Sequence, residues 1–130
     1  MRTFVKRYLL DTSFIIDLIN EESEAIKIHE KIINEEVTGT PCVYELLKFS
    51  GRIQPLFEKE IVPFEDGDAI EASNIHRNLR ECGVLIADID ILIAGIAKNH
   101  GFTLVTRDRD FQRIEGINVL HYELDLDPTE

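Results

Sequence analysis

The chain has 130 residues, of which 44% are hydrophobic and 30% charged, and its formal net charge is −11. This size suits one globular domain, 1–130, and the excess of acid argues against a general nucleic-acid binder, which needs lysine and arginine to neutralise phosphates. No apolar run reaches the roughly 20 residues that cross a bilayer. The basic N-terminus precedes an apolar run that ends at Asp11, too soon for a secretory signal, so we expect a cytoplasmic protein.

Short apolar runs alternate with helical patterns through the first half of the chain. The predicted elements are a strand over 7–10, a helix cap at 11–13 followed by two amphipathic helices, a strand over 37–40, a short helix from Pro41 to Gly51, and a weak strand over 61–64. Proline in the first turn and glycine after the last residue are typical helix boundaries.

The second half continues the alternation. The predicted elements are a helix over 66–82 that buries Ala69, Ile70, Ile75 and Leu79, the most apolar helix over 88–100, a strand over 102–106, an irregular segment over 107–115 and a strand over 117–120. Alternating strands and helices predict the α/β class, with a central parallel sheet covered by helices on both faces.

The two cysteines, Cys42 and Cys82, have no second pair that would complete a zinc-binding spacing. We interpret them as reduced thiols that pack against their neighbours.

Four acidic residues stand at points where a predicted strand or turn passes into a helix: Asp11, Glu45, Asp90 and Asp108. Three of them lie inside or directly against apolar runs, where an ionised carboxylate is costly unless a positive charge compensates it. No lysine or arginine is near enough in sequence to pair with all of them. A divalent cation is therefore the simplest explanation.

Carboxylate oxygens without nearby histidine or cysteine suit Mg²⁺ or Mn²⁺. One or two such ions can activate water and stabilise the leaving oxygen of a phosphodiester, which makes phosphodiester hydrolysis the expected reaction class. Hydroxyl groups flank the acids at Thr12, Ser13 and Thr106. They could hold the acids or a metal-bound water, or equally serve as helix caps and turn bonds.

Four segments that contain these acids resemble, in order and spacing, the motifs of PIN-domain ribonucleases, in particular the VapC-type toxins of prokaryotic toxin–antitoxin pairs. The segments are 10–17 (LDTSFIID), 44–47 (YELL), 90–94 (DILIA) and 104–111 (LVTRDRDF). The resemblance implies a three-layer α/β/α fold and a Mg²⁺- or Mn²⁺-dependent endoribonuclease acting on RNA. It also implies a homodimer, inhibited by a small antitoxin that inserts into the active-site groove.

By motif position, the resemblance assigns the acidic site to Asp11, Glu45, Asp90 and Asp108, with Thr12, Ser13 and Thr106 as the neighbouring hydroxyls. The last motif is compact, so that either Asp108 or Asp110 could face the metal. Asp88 is an additional acid, and we predict that it caps the helix, since residues two apart do not share a helix face. We expect Asp17 to be a solvated helix residue that could reach the rim of the groove.

Arginines near the last motif and on the 66–82 helix could form a local phosphate-binding rim, or could pair with surface acids. The candidates for RNA binding are Arg77, Arg80, Arg107 and Arg109. No DNA-reading motif occurs, so we expect no direct DNA binding, and operator binding would belong to the partner.

Two other functions fit parts of the sequence. Residues 84–87 followed by Asp88 and Asp90 could be a strand and an aspartyl nucleophile with its acid, as in haloacid-dehalogenase-like phosphatases. The helical continuation after Asp90 argues against that assignment. Alternatively, the acids could serve folding or partner docking alone in a non-catalytic PIN-like interaction module. The sequence leaves open whether the chain is active, which RNA it would cut, the antitoxin, and the number of ions.

Overall fold

The computed structural model describes residues 6–49 and 59–125, and a five-stranded sheet forms their centre. The strands are β1 Tyr8–Leu10, β2 Glu36–Gly39, β3 Glu60–Val62, β4 Thr103–Thr106 and β5 Asn118–His121. Every neighbouring pair is parallel, and the order across the sheet is β3-β2-β1-β4-β5. The predicted parallel α/β architecture is thus confirmed.

Five helices connect the strands. They are α1 Thr12–Ile19, α2 Ser23–Ile32, α3 Thr40–Phe49, α4 Asp66–Glu81 and α5 Asp88–His100, with a short 3₁₀ helix over Arg109–Arg113. The predicted end of the third helix at Gly51 lies outside the described residues. The chain runs outward from β1 to β3 and then returns to the other side of β1. Because parallel crossovers are right-handed, this reversal puts helices on both faces of the sheet, in three layers.

The core lies between the sheet and these helices. Leu9, Leu10, Leu104 and Val105 in the two central strands are fully buried. A fully buried aliphatic or aromatic side chain contributes about 1.5–3 kcal/mol by leaving water, so these two short apolar strands anchor the sheet. Continuous burial of both strand faces is expected for a parallel sheet with helices on each side.

Helices α4 and α5 make a close contact at Gly95. A Cβ atom placed there would lie 2.6 Å from the backbone oxygen of Asp68 and 2.8 Å from the Cβ atom of Ala72, so a side chain would force the helices apart. The carboxylate of Asp68 is buried, and it accepts bonds from the Glu65 N–H (2.8 Å) and from Asn99 Nδ2 (2.8 Å).

This packing overturns part of the predicted inner face of the 66–82 helix. Ile75 and Leu79 are buried as expected, but Ile70 is 60% exposed and Ala69 is also exposed. The bonds that hold Asp68 against α5 rotate the first turn, so Asp68 and Ala72 face inward in their place.

Both cysteines are free thiols, as predicted, but only Cys42 is buried. Cys82 is exposed at the end of α4, so the expected packing role for it is wrong. Within residues 6–49 and 59–125, no helix combines the length and apolar character that a membrane span requires.

Candidate functional site

The site begins where the two central strands end. Asp11 directly follows β1, and Thr106 is the last residue of β4. The register pairs Leu10 with Val105, and the Asp11 N–H donates to the Val105 carbonyl oxygen at 3.0 Å. Strand order reverses between these neighbours, and open α/β sheets bind ligands beyond the carboxyl ends of strands at such a point.

The carboxylate of Asp11 is buried and held by hydroxyl groups. Its Oδ2 atom accepts hydrogen bonds from Thr106 Oγ1 at 2.7 Å and from Ser13 Oγ at 2.8 Å. Burial raises the pKa of Asp11, and the bonds from Thr106 and then Ser13 counteract only part of that rise. In the part of the chain that the structure describes, no hydrogen bond to this carboxylate comes from a cationic side chain.

Thr106 also connects Asp11 to the turn that carries Asp108. Its Oγ1 atom accepts a bond from the Asp108 N–H at 3.0 Å. Asp108 caps the 3₁₀ helix, because its Oδ1 atom accepts from the Asp110 N–H at 2.9 Å. The Thr106 hydroxyl therefore holds both the carboxylate of Asp11 and the backbone of Asp108.

Asp90 is half-buried in the first turn of α5, as predicted. Burial, followed by the charges of Asp11, Asp108, Glu45 and Asp110, raises the pKa of Asp90 to about 7. The other three acids that the motifs select thus all act on Asp90, and we call the four, together with Asp110, the acidic cluster. Asp108 has a larger effect on Asp90 than Asp110 has.

Glu45 enters the cluster from α3, one turn after the buried Cys42. The Thr12 hydroxyl donates to Cys42 Sγ at 3.4 Å, so it does not join Ser13 and Thr106 at Asp11. Burial, with smaller effects from the charges of Asp11 and Glu45, raises the pKa of Cys42 to about 12. The thiol therefore stays protonated and serves packing.

The chemistry of the cluster fits a hard divalent cation. Its donors are carboxylate oxygens, and Mg²⁺ characteristically takes one or two carboxylates while keeping several waters. Over residues 6–49 and 59–125, no three His, Cys, Asp or Glu side chains are already arranged to hold a metal ion.

Asp88 lies outside this arrangement. It is the exposed first residue of α5, and the N-cap position belongs to Ala87, so the predicted capping role is wrong. Residues 84–87 do not form a strand. The phosphatase alternative requires that strand before Asp88 and Asp90, and the structure removes its premise.

Asp17 is not solvated, contrary to expectation, because it is 2% exposed. Its two oxygens accept from Arg107, with Nε at 2.8 Å and Nη2 at 3.1 Å, and the Tyr122 hydroxyl donates to it as well. Sequence reasoning missed this group of Asp17, Tyr122 and the partly exposed Arg107. The only local signal is an acid inside the very apolar helix α1.

The other candidate arginines are exposed. Arg109 pairs with Glu123, and Arg77 donates to Asn74 in its own helix. Arg77 also lines a shallow groove between α4 and the start of α5, which Asp88 borders. The structure thus ties Arg107 and Arg109 to acids, whereas Arg80 is exposed near the same end of α4.

Comparisons with known proteins agree with this fold. Residues 8–117 match the family described as PIN domain. Ribonuclease VapC1 of Rickettsia felis is 33% identical over 89 residues, which make up 68% of this chain and 62% of that protein. The match thus spans less than two thirds of that relative's length.

Solved structures give the same result. A chain of the DNA-bound VapBC from Salmonella typhimurium has a TM-score of 0.78 at 21% identity, over 90% of this chain and 98% of that one. A chain of FitAcB from Neisseria gonorrhoeae has a TM-score of 0.76 at 23% identity, over 88% of this chain and 96% of that one. These likenesses establish the fold. Since the family match covers most of the chain, the protein belongs to the PIN-domain family.

Proposed function

We propose that the chain is a Mg²⁺- or Mn²⁺-dependent endoribonuclease that hydrolyses RNA phosphodiester bonds with activated water. The observation that carries this proposal is the acidic cluster itself. Asp11 is buried, with neutral donors that include the hydroxyls of Ser13 and Thr106, and Asp90 is repelled by four neighbouring carboxylates. Such an arrangement is unfavourable without a cation. The name of the Rickettsia felis relative, a ribonuclease, favours RNA as the substrate.

Asp11, Asp90 and Asp108 would hold the ion, with Glu45 as the fourth carboxylate. When bound, a divalent cation lowers the pKa of a water and stabilises the negative charge on the leaving oxygen. Ser13 and Thr106 keep Asp11 in one orientation, because both donate to the same oxygen. Glu45 supplies an acceptor from a different helix, so it can orient water without displacing Asp11.

The partners follow from the solved relatives. VapBC-5 from Mycobacterium tuberculosis, for example, is described as a member of a family of toxin–antitoxin systems. We extend that description to this chain as a toxin that is inhibited by an antitoxin protein. We propose in addition that the chain forms a homodimer and acts in the cytoplasm. Some of those complexes are bound to DNA. With a net charge of −11, this chain leaves DNA contact to the antitoxin.

The test is an RNA cleavage assay on structured and single-stranded RNA with Mg²⁺, with Mn²⁺ and with a chelator. Asp11→Asn and Asp90→Asn should each lower the cleavage rate roughly 100-fold or more, because each substitution removes a negative charge that holds the ion. Circular dichroism and gel filtration would establish that both variants stay folded.

Asp88→Asn is the matched control, since it removes an exposed carboxylate only two residues from Asp90. It should keep near-native activity. Equal cleavage by the native chain and all three variants would refute the site. A native chain that binds Mn²⁺ but cleaves no RNA in any condition would favour the non-catalytic interaction module.

A further inference from the structure

Asp17, next to the strand ends, pairs its buried carboxylate with Arg107, whose side chain is 41% exposed. Asp17 lies on α1 with a side chain that is 3% exposed. Arg107 donates to both of its oxygens, at 2.8 and 3.1 Å, and Tyr122 donates to Oδ2. A two-bond fork between guanidinium and carboxylate fixes both groups in orientation as well as in distance.

Arg107 stands between the two residues that organise the acidic cluster, Thr106 and Asp108. Its backbone N–H donates to Ser13 Oγ at 3.2 Å, and the same hydroxyl donates to Asp11 at 2.8 Å. The next N–H, of Asp108, donates to Thr106 Oγ1. The backbone of this turn is therefore part of the bond network that ends on Asp11.

The far side of the turn is held through Tyr122, which follows β5. Its backbone N–H donates to the Thr106 carbonyl oxygen at 3.3 Å, and its ring packs edge-on against Phe14 with centroids 5.6 Å apart. Tyr122 and Arg107 thus bring two segments, 106–108 and 121–122, against Asp17 on α1. The charge of Asp17 is matched by Arg107, so it does not add to the acidic cluster.

We propose that Asp17 is a positioning residue: by its fork to Arg107 it sets the turn 106–108, and thereby places Thr106 and Asp108 against Asp11. The consequence for metal binding rests on the proposed function, whereas the effect on the turn does not. Arg107 is accordingly a structural partner of the site.

The experiment compares the native chain with Asp17→Asn, Tyr122→Phe and Glu123→Gln. Glu123→Gln is the matched control, because it breaks the exposed pair of Arg109, the next arginine along the chain. Backbone amide hydrogen exchange by NMR reports on the turn, with Val105 as the internal reference. Mn²⁺ titration by calorimetry reports on the site, at a temperature where every variant is folded.

Asp17→Asn should speed exchange at the Arg107 and Asp108 amides about tenfold relative to Val105 and weaken Mn²⁺ binding about tenfold, as changes beside metal ligands do. It should lower kcat and leave KM for RNA unchanged within about twofold. Tyr122→Phe removes one donor, so we expect the same changes at about threefold. Glu123→Gln should change none of these quantities.

Unchanged exchange at both amides in folded Asp17→Asn would overturn the positioning role, and so would unchanged exchange in Tyr122→Phe if Asp17→Asn fails to fold. Faster exchange with native Mn²⁺ affinity would also overturn it, because the turn would then be irrelevant to the cluster. If the native chain binds no Mn²⁺, the proposed function fails, and amide exchange still decides whether Asp17 holds the turn.

Discussion

Buried carboxylates at the two ends of the sheet have different kinds of hydrogen-bond donor. At the amino end, the Glu36 side chain is 1% exposed and accepts from Lys59 Nζ at 2.7 Å and pairs with His29 Nδ1 at 2.9 Å. At the carboxyl end, Asp11 is equally buried, but its donors are the neutral hydroxyls of Ser13 and Thr106. One end is balanced within the chain, and the other is left with excess negative charge.

This difference identifies the site better than acidity alone. Burying a carboxylate costs several kcal/mol unless a partner compensates it. Glu36 has such partners, as does Asp17 with Arg107. Asp90, in contrast, has a pKa of about 7 because burial and four neighbouring carboxylates act on it together. A cluster for which the described residues show no cationic partner is the place to expect a cation from solution.

The largest expected effect concerns the amino end. Glu36→Gln should lower the free energy of unfolding by about 2–4 kcal/mol, because removing the carboxylate leaves the Lys59 charge without its counterion and weakens the bond with His29. Urea denaturation measures this change, and cleavage per folded molecule should stay native. If the free energy of unfolding is unchanged, Glu36 is not stabilised by its partners and the contrast disappears.

At the carboxyl end, stability should depend on pH through Asp90. Asp90 has a pKa of about 7 in the folded chain against an ordinary value of 3.8, so the folded state binds more protons between these values. Without metal, stability should therefore be greatest below about pH 4 as far as Asp90 is concerned and fall as pH rises to 7.

For a half-exposed group, solvent screening reduces this loss to about 1–2 kcal/mol. Urea denaturation in chelator from pH 5 to pH 8 would measure it, and Asp90→Asn should flatten the curve. A variant whose curve is as steep as the native one would show that Asp90 is not the group responsible.

Mn²⁺ should restore the stability that the chain loses as Asp90 ionises. At a concentration ten times the Kd, an ion that binds only the folded state adds about 1.4 kcal/mol of stability. The gain should be larger at pH 8 than at pH 6, because protons compete for Asp90. Thermal melts with and without Mn²⁺ measure it. Glu36→Gln should keep the gain and Asp90→Asn should lose it, and equal gains in both variants would contradict a site at the carboxyl end.

The smallest effect belongs to an exposed pair. Both side chains of the Arg109–Glu123 pair are more than half exposed, so Glu123→Gln should change the free energy of unfolding by less than about 0.5 kcal/mol. The same denaturation series measures it. A loss as large as that of Glu36→Gln would mean that burial does not separate the two kinds of acid.

Features fixed by local sequence could be predicted. The helix expected over 88–100 is α5, residue for residue, because apolar spacing sets its body and Gly101, with φ +71°, ends it. Asp11 and Asp108 also lie at or just beyond the ends of predicted parallel strands, and the carboxyl ends of such strands share one edge of the sheet. The structure brings them together through Thr106.

Features fixed by distant partners could not be predicted. Asp17 depends on residues 90 and 105 positions away, so nothing near it in sequence distinguishes it from a solvated acid. Asp68 faces inward because Asn99, 31 positions away, bonds it. Likewise, Thr12 and Ser13 are adjacent in sequence, but only the fold directs one hydroxyl to Cys42 and the other to Asp11.

The most direct test is a crystal soaked in Mn²⁺ and measured for anomalous scattering. We predict one or two peaks among the carboxylates of Asp11, Asp90 and Asp108, partly coordinated by water, in the native crystal and none in Asp90→Asn. The claim that these acids bind a cation would be contradicted if saturating Mn²⁺ gave no peak at the acidic cluster. It would also be contradicted if a lysine or arginine side chain occupied the centre of the cluster.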